Sequence, residues 1–403
     1  MTTLIKKQTV IPVTELEQSA FCQAEGNLRT KTLKEEFLTG VRWQKVPKRY
    51  LTLEPSEIDE GILYCKKQLG ESVVILGHHY QRDEVIKHAD ITGDSFKLSK
   101  VASEYDRSKW IVFCGVHFMA ETADILTASD QNVLLPNMAA GCSMADMAQT
   151  EDVEDAWFEL SSVLDITRVI PVTYMNSTAA IKSICGKNNG IVCTSSNAVN
   201  TFEWALKRGD KILFLPDQHL GRNTGLKMGI KEEQMVVWNP FKRNGGLTEN
   251  QIRSSKLILW QGHCSVHTRF TTGQIQDART KDTGVNVIVH PECTSDVVAA
   301  ADYNGSTEFI IETITNSEPG SSWTVGTEIN LVNRLAQDNP DKKIYCLDSV
   351  VCPCATMYRI HPAYLLWVLE GIMAGLAINR IRVSDQDRRF ARVAVDRMLN
   401  VSH

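Results

Sequence analysis

From about residue 53 onward, short runs rich in Val, Ile and Leu stop abruptly at polar residues and alternate with stretches of helical period. Continuous apolar runs of this length mark parallel strands covered on both faces and joined by crossover helices. Four such runs occur in each of three blocks. The first kind is VVILGHHY (73–80), RVIPVTYMN (168–176) and VNVIVHPEC (285–293), and each ends in polar residues two apart: His78 and Tyr80, Tyr174 and Asn176, His290 and Glu292. The second kind ends in small hydroxyls before a helical stretch, at Ser95, Ser195 and Ser306 with Thr307. The third kind is WIVFCGVHF, KILFLPDQHLG and SWTVGTEIN. The fourth closes each block with cysteine: NVLLPNMAAGCSMAD with Cys142, LILWQGHCSVH with Cys264, and KIYCLDSVVCPCATM with Cys352 and Cys354.

A repeat of this kind sets the architecture before any motif does. His78 to Cys142 spans 64 residues, and so does His290 to Cys354; Tyr174 to Cys264 spans 90. The surplus of 26 falls in a polar, Gly- and Asn-rich stretch between Arg222 and Lys256, which predicts a surface insertion. The predicted fold is α/β: three homologous domains with parallel sheets around a pseudo-threefold axis, and the active site at their centre. The expected units are an N-terminal extension at 1–52, read as a tail or cover with a helix near 30–38, and repeats at 53–145, 146–265 (insertion about 222–256) and 266–360. Helices at 361–403 are expected to pack back on the first repeat. Strand ends in open parallel sheets converge on the ligand crevice. Three such sheets facing one point bring together cysteines far apart in sequence.

Composition narrows the chemistry. A net charge of −5 carries no basic stripe, which argues against nucleic acid or an anionic membrane as partner and favours a small molecule. With no secretory signal and no apolar window of membrane length, a cytoplasmic location is expected. Eleven cysteines are then a poor match for a disulfide framework and raise metal binding or catalysis instead. Cys22, Cys65, Cys114, Cys185 and Cys346 are expected as plain buried thiols. No CxxC pair occurs, so zinc-ribbon and thioredoxin-like chemistry lack their usual signal.

Three thiolates meeting at one point can hold zinc or a cubane cluster. A [4Fe-4S] cube with three protein ligands keeps one iron free as a Lewis acid. Small residues in AAGCSMAD and QGHCSVH suit a cube that comes close to the backbone. Around it the strand ends supply His78, Tyr80, Tyr174, Asn176, His290 and Glu292, with His267 three residues after Cys264, a set suited to moving protons. Hydroxyl turns at helix starts suit carboxylate or phosphate. Each residue alone fits a structural role; recurrence at matched places in three blocks favours a shared site.

The segments GHHYQRDEV, GDSFKLSK, AAGCSMADMA, TYMNSTAAIK, CTSSNAV, PDQHLGRN, WQGHCSVH, VHPEC, NGST and CPCATM, in this order, resemble the quinolinate synthase family over about residues 60–360. The resemblance implies an enzyme of NAD biosynthesis that condenses iminoaspartate with dihydroxyacetone phosphate to quinolinate, phosphate and water, using one [4Fe-4S] cluster per chain on three cysteines. It implies Cys142 and Cys264 as ligands, and Tyr80, Tyr174, Glu292 and His290 as proton-moving groups. His78, Asn176 and His267 would line the pocket, while Ser95, Ser195 and Thr307 hold the acid groups of substrate. The chain departs from the family pattern in its long N-terminal segment, its insertion, and Cys-Pro-Cys. Aligning Cys-Pro and Met357 favours Cys352 as third ligand, whereas the 64-residue spacing favours Cys354, which is the prediction adopted; Cys293 is available to pair with the spare thiol or to stay buried. Because iminoaspartate hydrolyses readily, an aspartate oxidase or dehydrogenase that supplies it is a compatible partner. Competing interpretations are an aconitase-type hydro-lyase, a three-thiolate zinc enzyme, and a non-enzymatic iron-sulfur sensor, for which the chain shows no basic face.

Overall fold

The computed structural model describes residues 21–22, 31–39, 41–350 and 352–401. Thirteen strands make three sheets among these residues, and every strand pairing is parallel. The first sheet holds β1 (Val73–His78), β2 (Ile91–Gly93), β3 (Trp110–Cys114) and β4 (Asn132–Leu134), in the order β2-β1-β3-β4. The second holds β5 (Val169–Tyr174), β6 (Ile191–Cys193), β7 (Lys211–Leu215), β8 (Met235–Trp238) and β9 (Leu257–Trp260), in the order β6-β5-β7-β9-β8. The third holds β10 (Asn286–Val289), β11 (Tyr303–Asn304), β12 (Ser322–Gly326) and β13 (Lys343–Cys346), in the order β11-β10-β12-β13. All twelve predicted runs are strands. Both β1 and β5 are buried at every position, as sheets covered on two faces require.

In each sheet the order reverses between the first strand and the third. That reversal opens a crevice beyond the carboxyl ends of those two strands, because their crossover helices leave to opposite faces. The polar pairs at 78–80, 174–176 and 290–292 follow directly from the first strands, so they enter these crevices.

Four expectations need correction. The stretch 222–256 is no mere surface loop. It completes the helix Gln218–Lys227 and supplies β8, which pairs along β9 and buries Ile230, Met235 and Trp238. The polar NPFKRNGG segment closes over that strand through Gly245, whose φ of 64° and place 2.5 Å from the Trp238 ring, measured from an added Cβ, exclude a side chain.

The C-terminal helices do not both pack on the first unit. Pro362–Met373 lies along Pro55–Leu69 in that unit, but Asp385–Val401 packs chiefly on Ala179–Lys187 and β6 of the second. The reason is a glycine: a Cβ on Gly186 would sit 1.9 Å from the Phe390 carbonyl oxygen, so only its absence admits the helix. Arg388 then reaches back to Asp124 of the first unit, and the helix joins the two.

The described part of the N-terminal extension is built into the core. The helix Leu33–Phe37 starts from a Thr32–Glu35 capping box and buries Leu33, and Tyr50 follows it inside. Glu36 meets Arg82 at 3.0 Å with both side chains about 1% exposed, and the Arg82 guanidinium lies 4.0 Å over the Tyr358 ring. Cys22, expected as a plain buried thiol, is disulfide-bonded to Cys352. Phe21 packs against Tyr358 beside it, the ring centres 4.7 Å apart and the planes tilted by 43°, which brings the segment to the cysteine loop. Among the described residues no helix is long and apolar enough to cross a membrane.

Candidate active site

The three crevices open into one central pocket. Its walls include all thirteen residues singled out from sequence: His78, Tyr80, Ser95, Cys142, Tyr174, Asn176, Ser195, Cys264, His267, His290, Glu292, Thr307 and Cys354. Cys352 is not among the walls, because its sulfur is engaged by Cys22. Cys293 takes neither partner; its thiol is buried and points at the Gly326 carbonyl, 3.8 Å away.

The three cysteines are presented alike. Each carbonyl accepts the amide four residues on, from Asp146 to Cys142 (3.0 Å), Thr268 to Cys264 (3.1 Å) and Tyr358 to Cys354 (2.9 Å), so each thiol stands at the start of a single helical turn. They share one neighbourhood: Cys354 acts electrostatically on Cys142, and both act on Cys264. Burial pushes all three thiols up, so a metal entering here must displace their protons. Three convergent sulfurs are the donor set of an iron-sulfur cluster, and the residues therefore fit such a group.

Two acids absent from the sequence expectations hold this arrangement. Asp217 and Glu328 follow the third strands of their sheets at equivalent places, each capping the next helix. Glu328 accepts the Cys354 amide at 3.1 Å, while Asp217 accepts the His219 and Leu220 amides at 2.7 and 2.9 Å and keeps its second carboxylate oxygen buried without a partner. Burial pushes both carboxyls up, that of Glu328 to about 7. Val116 occupies the third equivalent place, where the His117 amide bonds the Ala140 carbonyl directly at 2.8 Å. Thr327, next to Glu328, was also missed. The signal lay in PDQHLG and SWTVGTE: strand-end logic applied to the third run as to the first two marks all three residues.

A continuous hydrogen-bonded chain crosses the pocket. The Tyr174 hydroxyl donates to Glu292 Oε1 at 2.6 Å, and Glu292 Oε2 lies 2.9 Å from His267 Nδ1. That same Nδ1 is 3.2 Å from the Cys264 sulfur, while His267 Nε2 is 3.1 Å from Thr327 Oγ1. Thr327 meets the Tyr80 hydroxyl at 2.8 Å, and Tyr80 meets Thr307 at 3.2 Å. Residues from all three units thus share one proton path.

Electrostatics assign their states. Burial alone would raise the Glu292 carboxyl, but His267 beside it and the hydrogen bonds from His267 and Tyr174 hold it below the ordinary carboxylate range. Burial, with Glu292 nearby, pushes the Tyr80 and Tyr174 hydroxyls well up, so both keep their protons. Burial pushes His78 and His290 down to about 3, so both rings are neutral near pH 7. Each accepts at Nδ1 the amide of the residue two on, Tyr80 at 3.1 Å and Glu292 at 3.3 Å, which leaves the proton on Nε2. Ser95 and Thr307 open the helices Ser95–Glu104 and Thr307–Thr315, where free amides and the helix dipole favour an anion. Asn176 Oδ1 is buried without a partner, an acceptor left for a bound molecule.

Residues 60–400 match the family model described as Quinolinate synthetase A protein. The chain belongs to the quinolinate synthase family. It is 55% identical over 360 residues to a quinolinate synthase of Corynebacterium glutamicum, covering 89% of this chain and 91% of that one. It is 55% identical over 342 residues to a quinolinate synthase of Nocardioides sp., with 83% and 87% covered. With that of Acidobacterium capsulatum it shares 53% over 355 residues, with 87% and 95% covered. It is accordingly an enzyme of a quinolinate synthase family that serves NAD biosynthesis, and the family match includes the C-terminal helices.

Proposed function

We propose that this enzyme condenses iminoaspartate with dihydroxyacetone phosphate to give quinolinate, with release of phosphate and water. The observation that carries the proposal is the path Tyr174–Glu292–His267–Thr327–Tyr80, in which one carboxylate is held ionised among hydroxyls that keep their protons. Condensation and dehydration need an acceptor for C–H protons and donors for the leaving oxygens, and this set supplies both.

Cys142, Cys264 and Cys354 would hold a [4Fe-4S] cluster. Bound there, it supplies an iron without a protein ligand as a Lewis acid toward substrate oxygen. Glu292 takes the carbon-bound proton, with Tyr174 and His267 fixing its two oxygens. Tyr80, backed by Thr327, gives a proton to the departing group. Ser95 and Thr307 at helix starts, with Ser195 in the turn before the helix Ala198–Leu206, receive the phosphate or carboxylates, and Asn176 Oδ1 accepts from the nitrogen of iminoaspartate. His78 and His290 present neutral N–H groups. The substrate supplier consistent with this chemistry is an aspartate oxidase or dehydrogenase.

A second arrangement has its own support. Ligand atoms of Cys264, His267 and Glu292 all lie within 4.8 Å of one another, close enough to share a single metal ion. Protein purified without oxygen separates the two, since a cube brings inorganic sulfide in step with iron and a single ion brings none. Glu292→Gln is expected to lower kcat at least ~100-fold while leaving iron and sulfide content unchanged. Undiminished turnover would remove Glu292 from the mechanism, and failure to form quinolinate from the two substrates would overturn the proposal.

A further inference from the structure

Away from the central pocket, an open cleft of about 650 Å³ lies between the end of the helix His117–Leu126 and the segment 380–392. Five arginines line it against two aspartates, in a protein whose net charge is −5. Two of the five are committed: Arg388 is paired with Asp124, and Arg392 bonds Asp396 and the Leu126 carbonyl. The side chains of the other three, Arg380, Arg382 and Arg389, make no hydrogen bond or ion pair among the described residues, and the Arg389 guanidinium lies only over its neighbour Phe390, 5.5 Å from the ring centre. The Nε of Arg380 is buried without an acceptor. A protein gains nothing in stability by gathering three guanidinium groups without an anionic partner around one concavity, since like charges repel and the buried Arg380 Nε is a donor left unsatisfied.

We propose that this cleft binds a compact polyphosphate group. Guanidinium forks match phosphate oxygens two at a time, and several forks around one cleft suit adjacent phosphates better than a single small anion. The hydroxyl-bearing Thr127 and Ser129 lie on the same wall, and the 17-residue helix that begins at Asp385 turns its positive end toward it. The cleft has no aromatic wall, so no surface there stacks a base. The recognised part is therefore the phosphate chain, either free or as the tail of a nucleotide. The occupant sits at the far end of the helix whose first turn, with Phe118 and Met119, walls the central pocket.

The test is calorimetric titration of the full chain, purified without oxygen, with pyrophosphate, tripolyphosphate, ATP, citrate and a short DNA duplex at about 0.15 M salt. Pyrophosphate and tripolyphosphate are expected to bind, and the triple variant Arg380→Gln, Arg382→Gln, Arg389→Gln is expected to weaken them at least ~10-fold while quinolinate formation stays within about twofold. ATP binding as tightly as tripolyphosphate identifies a nucleotide tail as the source, and weaker ATP binding identifies free polyphosphate. Arg389→Glu alone, at an exposed position, gives the same direction of change if the triple variant folds poorly. The proposal is overturned if neither polyphosphate binds below millimolar concentration, if both variants bind undiminished, which would place the anions in the central pocket, or if citrate or the duplex binds as well as they do.

Discussion

The identity of the third sulfur turns on two neighbours with opposite surroundings. Cys354 stands on the pocket wall with its amide fixed by Glu328, while Cys352 is turned away and joined to Cys22. Cys354→Ser is expected to abolish stoichiometric iron and sulfide, and Cys352→Ser to retain both, as measured by metal and sulfide counting on anaerobic protein. Loss of cluster in the second variant alone would reverse the assignment. Lys182 poses a different question, because it is wholly buried and its ammonium is bonded to the carbonyls of Met175 and Ser177, on either side of Asn176. Burial pushes it down to about 7, against the pull of Glu121. Its native value lies below its unfolded one, so the stability it contributes is present above the unfolded value and is lost as pH falls toward 7. Between pH 7 and pH 10 the wild type is expected to gain on Lys182→Met by up to about 1.4 kcal/mol per pH unit, measured by urea unfolding. A flat difference would show that the amine stays charged.

Elements reach the site through small residues as much as through large ones. The helix Asp385–Val401 sits on the second unit only because Gly186 leaves its backbone open to Phe390. Gly186→Ala is expected to destabilise the protein by roughly 1–3 kcal/mol or more, the range for a forced backbone shift, and to expose the C-terminal helix to protease before the rest unfolds. Unchanged protection would mean that the helix adjusts at no cost. Strand ends were legible from sequence because burial on both faces leaves a continuous apolar run, and the first polar residue after it has nowhere to point but the crevice. The C-terminal helix was not legible in the same way. Its docking partner is chosen by one missing methyl group 200 residues away, and an amphipathic pattern records a face without naming what covers it.

Across the whole molecule, the pocket exists only where three units meet, and the seams carry specific polar contacts. Asn223, from the second unit, donates to the carbonyls of Pro291 and Cys293 at 2.8 Å each and so fixes the His290–Glu292 turn of the third. Trp260 Nε1 bonds the Met147 carbonyl at 2.7 Å, which ties the strand leading to Cys264 to the turn that follows Cys142. Asn223→Ala leaves two carbonyls without their donor. It is expected to cost about 1–3 kcal/mol and to lower kcat with little change in iron content, read from denaturation, steady-state kinetics and metal counting together. Iron loss in proportion to activity would show that the seam serves the cysteines instead. Hydrophobic period and matched spacing by themselves determined the parallel strands, the threefold plan and the strand-end pairs that enter the pocket, since these follow from burial along a local stretch of chain, whereas the choice of Thr307 over Ser306 came from the family resemblance. Only the tertiary structure decided that Cys22 takes Cys352, that Glu328 grips the Cys354 amide, and that the insertion becomes a fifth strand. Those outcomes depend on which distant groups come within bonding distance, and no local pattern encodes a distance between residues hundreds of positions apart.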